Sequence, residues 1–135
     1  MPTPDTGVVL GNNAAFCRRD VEGMLAHYAP DAVVVDRRPT GFGSYHGIEA
    51  IRAYYGGIFD NVEEINEELE VLASRDGVVV TQCRTWAELS SAMGSGEFTV
   101  DYGLAIDLRD GLIARLEVFP DGDAALAARG LSRQA

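Results

Sequence analysis

The sequence predicts an α+β fold, a curved antiparallel sheet with helices laid across it. Apolar side chains recur at helical spacing over residues 8–28 and again over 47–61. Residues 62–119 instead alternate apolar and polar side chains in four runs, parted by two Asp-Gly turns and one Gly-rich loop. A short Ala-rich stretch closes the chain. Strands gathered after helices, rather than alternating with them, point away from a parallel α/β sheet.

The 135 residues read as a single domain, with residues 1–6 as a loose N-terminal arm and Asp5 or Thr6 available as an N-cap. Val8, Val9, Asn12 and Phe16 form the stripe of a first helix. Asp20 can cap a second short helix over 21–28, which Pro30 stops. Val33, Val34 and Val35 make the body of a strand over 32–37, with Asp36 near its far end, and Arg38-Pro39-Thr40-Gly41 turns away. Gly47 opens a helix to about Asn61 that carries Ile48, Ile51, Tyr55 and Phe59 on one stripe. Residues 63–72 could be a charged helix by composition. The alternation Ile65, Glu67, Leu69, Val71, Ala73, ending in Arg75-Asp76-Gly77, favours a strand and hairpin, with the Glu63–Glu70 run on a solvated face. Val78–Leu89 is a long strand, Ser90–Gly96 a loop, and Glu97–Asp107 a strand with Phe98, Val100, Tyr102, Leu104 and Ile106 on one face. Arg109-Asp110-Gly111 turns into Leu112–Phe119, and Pro120-Asp121 starts a last helix with Gly130 as C-cap. A curved sheet with helices across its mouth makes a cone, and a cone is a ligand pocket.

Composition narrows the function. A net charge of −10 argues against nucleic acid, because phosphate binding needs clustered cations. All 11 basic residues are arginine, which excludes a Schiff-base lysine and a Walker-type phosphate loop. Cys17 and Cys83 are too few for a disulfide framework or a zinc site and read as buried thiols. No stretch reads as a signal peptide or a membrane span, so a cytoplasmic protein is expected, with neither metal nor organic cofactor.

Four pieces in this order resemble the SnoaL-like branch of the nuclear transport factor 2-like superfamily. They are DVEGMLAHYAPDAVVVD at 20–36, HGIEAIRAYY at 46–55, DGLIARLEVF at 110–119 and AALAARGL at 124–131. The resemblance spans about residues 8–131 and implies a cone-shaped α+β barrel, cystatin-like in outline, paired as a homodimer through the sheet. The superfamily includes steroid isomerases, epoxide hydrolases, polyketide cyclases and dehydratases, and also members that only bind or assemble, so fold alone does not settle function.

Asp36 matches the general base of the steroid-isomerase branch; its other reading is an ion pair with Arg37 or Arg38. The oxyanion-hole tyrosine of that branch falls at Asn12, and its acid donor near Val100 or Asp101. Arg84 matches the bridging arginine of the epoxide hydrolases, with Gln82 and Trp86 on its strand face, while the two acids fall at Trp86 and Val118. His46, at a helix start, is a candidate neutral base or donor, or else a loop histidine bonded to local backbone. The expected catalytic residues are therefore Asp36 and His46, with Arg84, Trp86, Gln82, Tyr102, Tyr55 and Asn12 as ligand-binding groups. The expected function is binding of a carbonyl-bearing, partly hydrophobic molecule, with cofactor-independent isomerisation, cyclisation or dehydration on Asp36. The alternative is a non-catalytic ligand-binding or dimeric scaffold module.

Overall fold

The computed structural model describes residues 3–39 and 43–134. Helix α1 (Pro4–Cys17) begins inside the stretch expected to be a loose arm. The Thr3 side chain accepts from the Thr6 N–H at 3.1 Å and Pro4 fits the first turn, so the cap lies upstream of Asp5 and Thr6. Arg19 takes a left-handed φ of 55°, which ends α1, and Asp20 then caps α2 (Val21–Leu25) through the Gly23 N–H at 2.9 Å. The break near Arg18–Asp20 is where the sequence places it.

The second helix is shorter than expected, because β1 (Tyr28–Asp36) starts at once. Pro30 lies inside this strand rather than before it. Pairing of β1 is irregular between Tyr28 and Val33, so the missing proline N–H falls where no regular ladder asks for it. β2 (Gly43–His46), between the turn and the helix that Gly47 opens, pairs antiparallel with β1, Val33 facing His46 and Asp36 facing Gly43. The turn expected over 38–41 lies partly outside the described residues.

Helix α3 (Ile48–Asp60) buries Ile51, Tyr55 and Phe59, the stripe read from the sequence. Four long strands follow: β3 (Val62–Arg75), β4 (Val78–Leu89), β5 (Glu97–Arg109) and β6 (Leu112–Phe119). Asp76-Gly77 and Asp110-Gly111 all carry positive φ, the conformation a two-residue hairpin turn requires. The sheet order is β2-β1-β6-β5-β4-β3. It is mixed rather than wholly antiparallel, since β1 runs parallel to β6.

The concave face, with α1 and α3 against it, encloses the main core of Val34, Val79, Cys83, Ile106, Ile113 and their neighbours. Helix α4 (Gly122–Arg129) does not join α1 and α3. It packs on the outer face, where Ala125 and Leu126 meet Leu72, Ala73, Val80 and Ala105. Gly103 permits this approach, because a Cβ there would stand 2.3 Å from the Asp121 carbonyl oxygen. The sheet is therefore covered on both faces at one end, and only on the concave face at the other.

Candidate functional site

A cavity of about 260 Å³ opens inside the cone between the concave sheet face and helices α1 and α3. Its walls are mostly apolar, from Phe16 on α1, Ile58 on α3, Ile65 on β3 and Leu104, Leu116 and Val118 on β5 and β6. Tyr54, Tyr55, Phe98 and Tyr102 add an aromatic lining, and two charged side chains reach it, Glu67 and Arg38. Few polar groups on apolar walls are what a small-molecule site offers.

Glu67 enters the cavity because the β3 alternation puts residues 65, 67 and 69 on the inner face. Its carboxylate accepts the Tyr102 phenol proton. With that proton committed, the Thr85 hydroxyl, 2.6 Å away, donates to the phenol oxygen. Asn13, with its amide turned to satisfy its neighbours, donates to Glu67 Oε1 at 2.6 Å and to the Glu67 carbonyl at 3.2 Å. The Glu67 N–H points at Cys17 Sγ, 3.2 Å away, so α1 grips β3 at this residue. No salt bridge reaches Glu67 among the described residues, and burial pushes its carboxyl up to about 7. Burial, reinforced by Glu67, raises the Cys83 thiol to about 12, which makes that cysteine inert at neutral pH.

Behind this wall the Tyr28 and Tyr55 hydroxyls bond at 3.0 Å. Burial raises both phenols, and at Tyr28 the bond to Tyr55, followed by the nearby Asn12 side chain, partly offsets the rise. Asn12 is buried, and its Oδ1 has no hydrogen-bond partner among the described residues.

Asp36 is buried, with its side chain withdrawn from solvent. Arg38 holds it at two points, Nε to Oδ1 at 2.9 Å and Nη2 to Oδ2 at 2.7 Å, and the Arg38 N–H adds a third bond at 3.1 Å. Of the two, Arg38 lines the cavity, its guanidinium lying over the Tyr102 ring at 5.6 Å from the centroid. The carboxylate at the end of β1 is thus in the ion pair that was the other reading of the sequence.

The remaining expected site residues divide by strand face. Tyr102 and Tyr55 line the cavity, and Asn12 is buried behind it. Gln82, Arg84 and Trp86 project from the outer face, because β4 turns Val79, Thr81, Cys83, Thr85 and Ala87 inward. Gln82 accepts from the Gly122 N–H at 2.7 Å and so caps α4, and Arg84 pairs with Asp101 at 2.7 Å in solvent. His46 stands exposed on β2, the edge of the sheet, away from the cavity lining. Glu67, Thr85 and Arg38 take the places in the cone that were expected for these groups. Of these, only Glu67 left a signal in the sequence, an acid in the apolar phase of β3, although the run of acids around it reads as a solvated face.

No group of three or more His, Cys, Asp or Glu side chains among the described residues could hold a metal ion. No helix among them is long and apolar enough to cross a membrane.

A curved sheet wrapped round an apolar pocket, with helices across its mouth, defines a cone-shaped α+β pocket protein. More particularly, the chain belongs to the SnoaL-like domain family, whose sequence model matches residues 12–116. Solved structures share the fold across nearly the whole length. TerC, co-crystallised with polyporic acid, is 22% identical, with a TM-score of 0.75 over 96% of this chain and 98% of its own. A putative SnoaL-like polyketide cyclase from Shewanella putrefaciens superimposes with a TM-score of 0.77 at 11% identity, over 95% and 96%. A Catenulispora acidiphila protein of ketosteroid isomerase-like fold, in complex with trimethylamine, has a TM-score of 0.72 at 18% identity over 92% of each chain. Among curated proteins none matches the chain.

Proposed function

We propose that the cone binds a small, partly apolar carbonyl compound and moves a proton on it, an isomerisation, cyclisation or dehydration needing no cofactor. The observation that carries this reading is Glu67, a cavity-wall carboxyl raised to about 7 and bonded by the Tyr102 phenol. A base poised near the working pH is present in its ionised form and still strong enough to accept a carbon-bound proton. In this reading Glu67 replaces Asp36 as the base, because Asp36 is committed to Arg38.

The carboxylate of Glu67 takes a proton from the carbon next to the carbonyl. The C–H electrons form the new C=C bond, and the carbonyl π electrons move to oxygen. Arg38 has Nη1 outside its pair with Asp36 and supplies the donor for that developing enolate. Protonated Glu67 then returns the proton elsewhere on the same ligand. Polyketide cyclase-like fold neighbours support a ligand of this kind. The proposal includes a cytoplasmic setting, supported by two unpaired thiols. It also includes a homodimer through the outer sheet face, where Trp86 and Arg84 stand.

The test is solvent-deuterium exchange into 2-tetralone, a neutral two-ring ketone with enolisable hydrogens, followed by NMR. The wild-type protein should accelerate exchange over buffer, and Glu67→Gln should lose about 100-fold of that acceleration. Exchange no faster than in buffer, or unchanged in the variant, would sink the catalytic reading. A non-catalytic ligand-binding or scaffold module is the second reading, favoured by the commitment of Asp36 to Arg38. It predicts ligand binding with no exchange.

A further inference from the structure

Arg38 is the only cation on the cavity wall among the described residues. An arginine in an apolar pocket is ordinarily an anchor for a carboxylate, gripped by two parallel N–H bonds. Here that two-point edge, Nε with Nη2, is already occupied by Asp36. The side chain of Asp36 is fully buried, whereas that of Arg38 keeps 24% exposure. Asp36 itself is absent from the cavity lining. An incoming ligand therefore meets one free donor edge of a guanidinium whose charge is cancelled from behind. Tyr54, on the cavity wall from α3, is raised mainly by burial, with Asp36 adding to the rise and Arg38 opposing it.

The geometry points to Asp36 as a specificity-determining residue: by pinning Arg38 in a neutral pair, it makes the cone accept uncharged carbonyl ligands and reject carboxylates of the same shape. This rests on the ligand site proposed above and narrows its ligand class. A carboxylate entering the cavity would give up its hydration for a neutral pair, which leaves it uncompensated. An amide or ketone oxygen needs only one good donor, and Nη1 supplies it. The cavity also sets a size. Since a cavity of roughly 150 Å³ holds one benzene ring, about 260 Å³ suits one substituted ring or two fused rings.

The probes are 2-naphthamide and 2-naphthoate, alike in shape and different in charge, titrated calorimetrically at about pH 6. There the Glu67 carboxyl is mostly protonated and adds little repulsion of its own, while an aryl carboxylate stays ionised. Wild-type protein should bind the amide at least about tenfold more tightly than the carboxylate, the scale expected for one uncompensated charge near a protein surface. Asp36→Asn should tighten 2-naphthoate by about tenfold and leave 2-naphthamide within about threefold, since Arg38 then carries a free charge. The double variant D36N/R38Q, again without net charge, should return to the wild-type order. If D36N alone fails to fold, the double variant still decides. Keeping the wild-type ratio supports charge cancellation, and selective loss of 2-naphthoate would show that Arg38 already acts as a free cation. A wild-type preference for 2-naphthoate, or a ratio unmoved in folded D36N, overturns the proposal. Binding of neither probe overturns it together with the ligand size assigned here. Amide-selective binding without exchange on 2-tetralone leaves it standing and sinks only the catalytic reading.

Discussion

Glu67 brings a structural cost and a chemical use into one side chain. The unfolded carboxyl ionises at 4.5, while burial in the cone lifts it to about 7. Between those values the folded chain holds a proton that the unfolded chain has released, so the contribution of Glu67 to stability falls as pH rises and levels off above 7. The penalty at alkaline pH is on the order of 3 kcal/mol for such a displacement. Glu67→Gln should therefore melt at a higher temperature than wild type at about pH 8, with the gap closing toward about pH 5. Thermal melts across that range check this, and a gap that widens toward acid would contradict it. The residue was legible in principle. Glu67 shares its phase with Ile65, Leu69 and Val71, and an acid in an apolar phase is a candidate pocket group. The neighbouring Glu63, Glu64, Glu68 and Glu70 disguised it as one more charge on a solvated strand.

At the scale of elements, the outcome on β4 turned on which face was inward. Val78, Val79 and Val80 are apolar in both phases, and only the burial of Cys83 and Thr85 on the concave side settles the direction. The outer phase at this end is apolar because α4 covers it, and no local pattern shows where a terminal helix will dock. The hairpins were legible because an Asp-Gly turn carries its own backbone requirement. β2 was not, since four residues beside a Gly-rich stretch give little periodicity to read. Docking of α4 has a titratable latch. Arg129 on α4 bonds Asp107 of β5 at 2.9 Å and Glu117 of β6 at 2.5 Å, and Glu117 also meets Arg37 and Arg115. Burial alone would raise the Glu117 carboxyl, but the three guanidiniums hold it down at about 2. The folded pKa lies below the ordinary 4.5, so this stabilisation is complete above that value and is lost as pH falls toward 2. Glu117→Gln should lower the stability of the protein at neutral pH by roughly 2 kcal/mol, discounted for the solvent reaching Arg37 and Arg115. It should also flatten the acid limb of the stability curve below about pH 5. Denaturant titrations of both proteins at two pH values measure this, and an unchanged acid limb would remove Glu117 from the account.

For the whole molecule, the unequal covering of the sheet matters most. Helix α4 occupies the outer face near Val80, Gln82 and Ala105 and leaves the opposite end of β3, β4 and β5 bare. Two cross-strand rows cross that bare end, Asn66–Trp86–Thr99 and Glu68–Arg84–Asp101. A half-buried tryptophan at the centre of a polar rim is the kind of residue that anchors an interface. This supports the proposed homodimer and gives the outward-facing Trp86 and Arg84 a role that the cavity does not. The same face is rich in acids, with Glu64, Glu68, Glu70, Glu88, Glu97 and Asp101 exposed around one arginine. Two copies meeting there bring like charges together, so screening should favour association. Light scattering is expected to show a wild-type dimer whose dissociation constant falls as salt rises from about 0.05 to about 0.5 M. Trp86→Glu should be monomeric at concentrations where wild type is paired. It should also keep its exchange activity on 2-tetralone, since the cavity lies on the other face of the sheet. A wild-type monomer at all concentrations would remove the dimer, and loss of exchange in a folded W86E protein would tie the site to the partner copy.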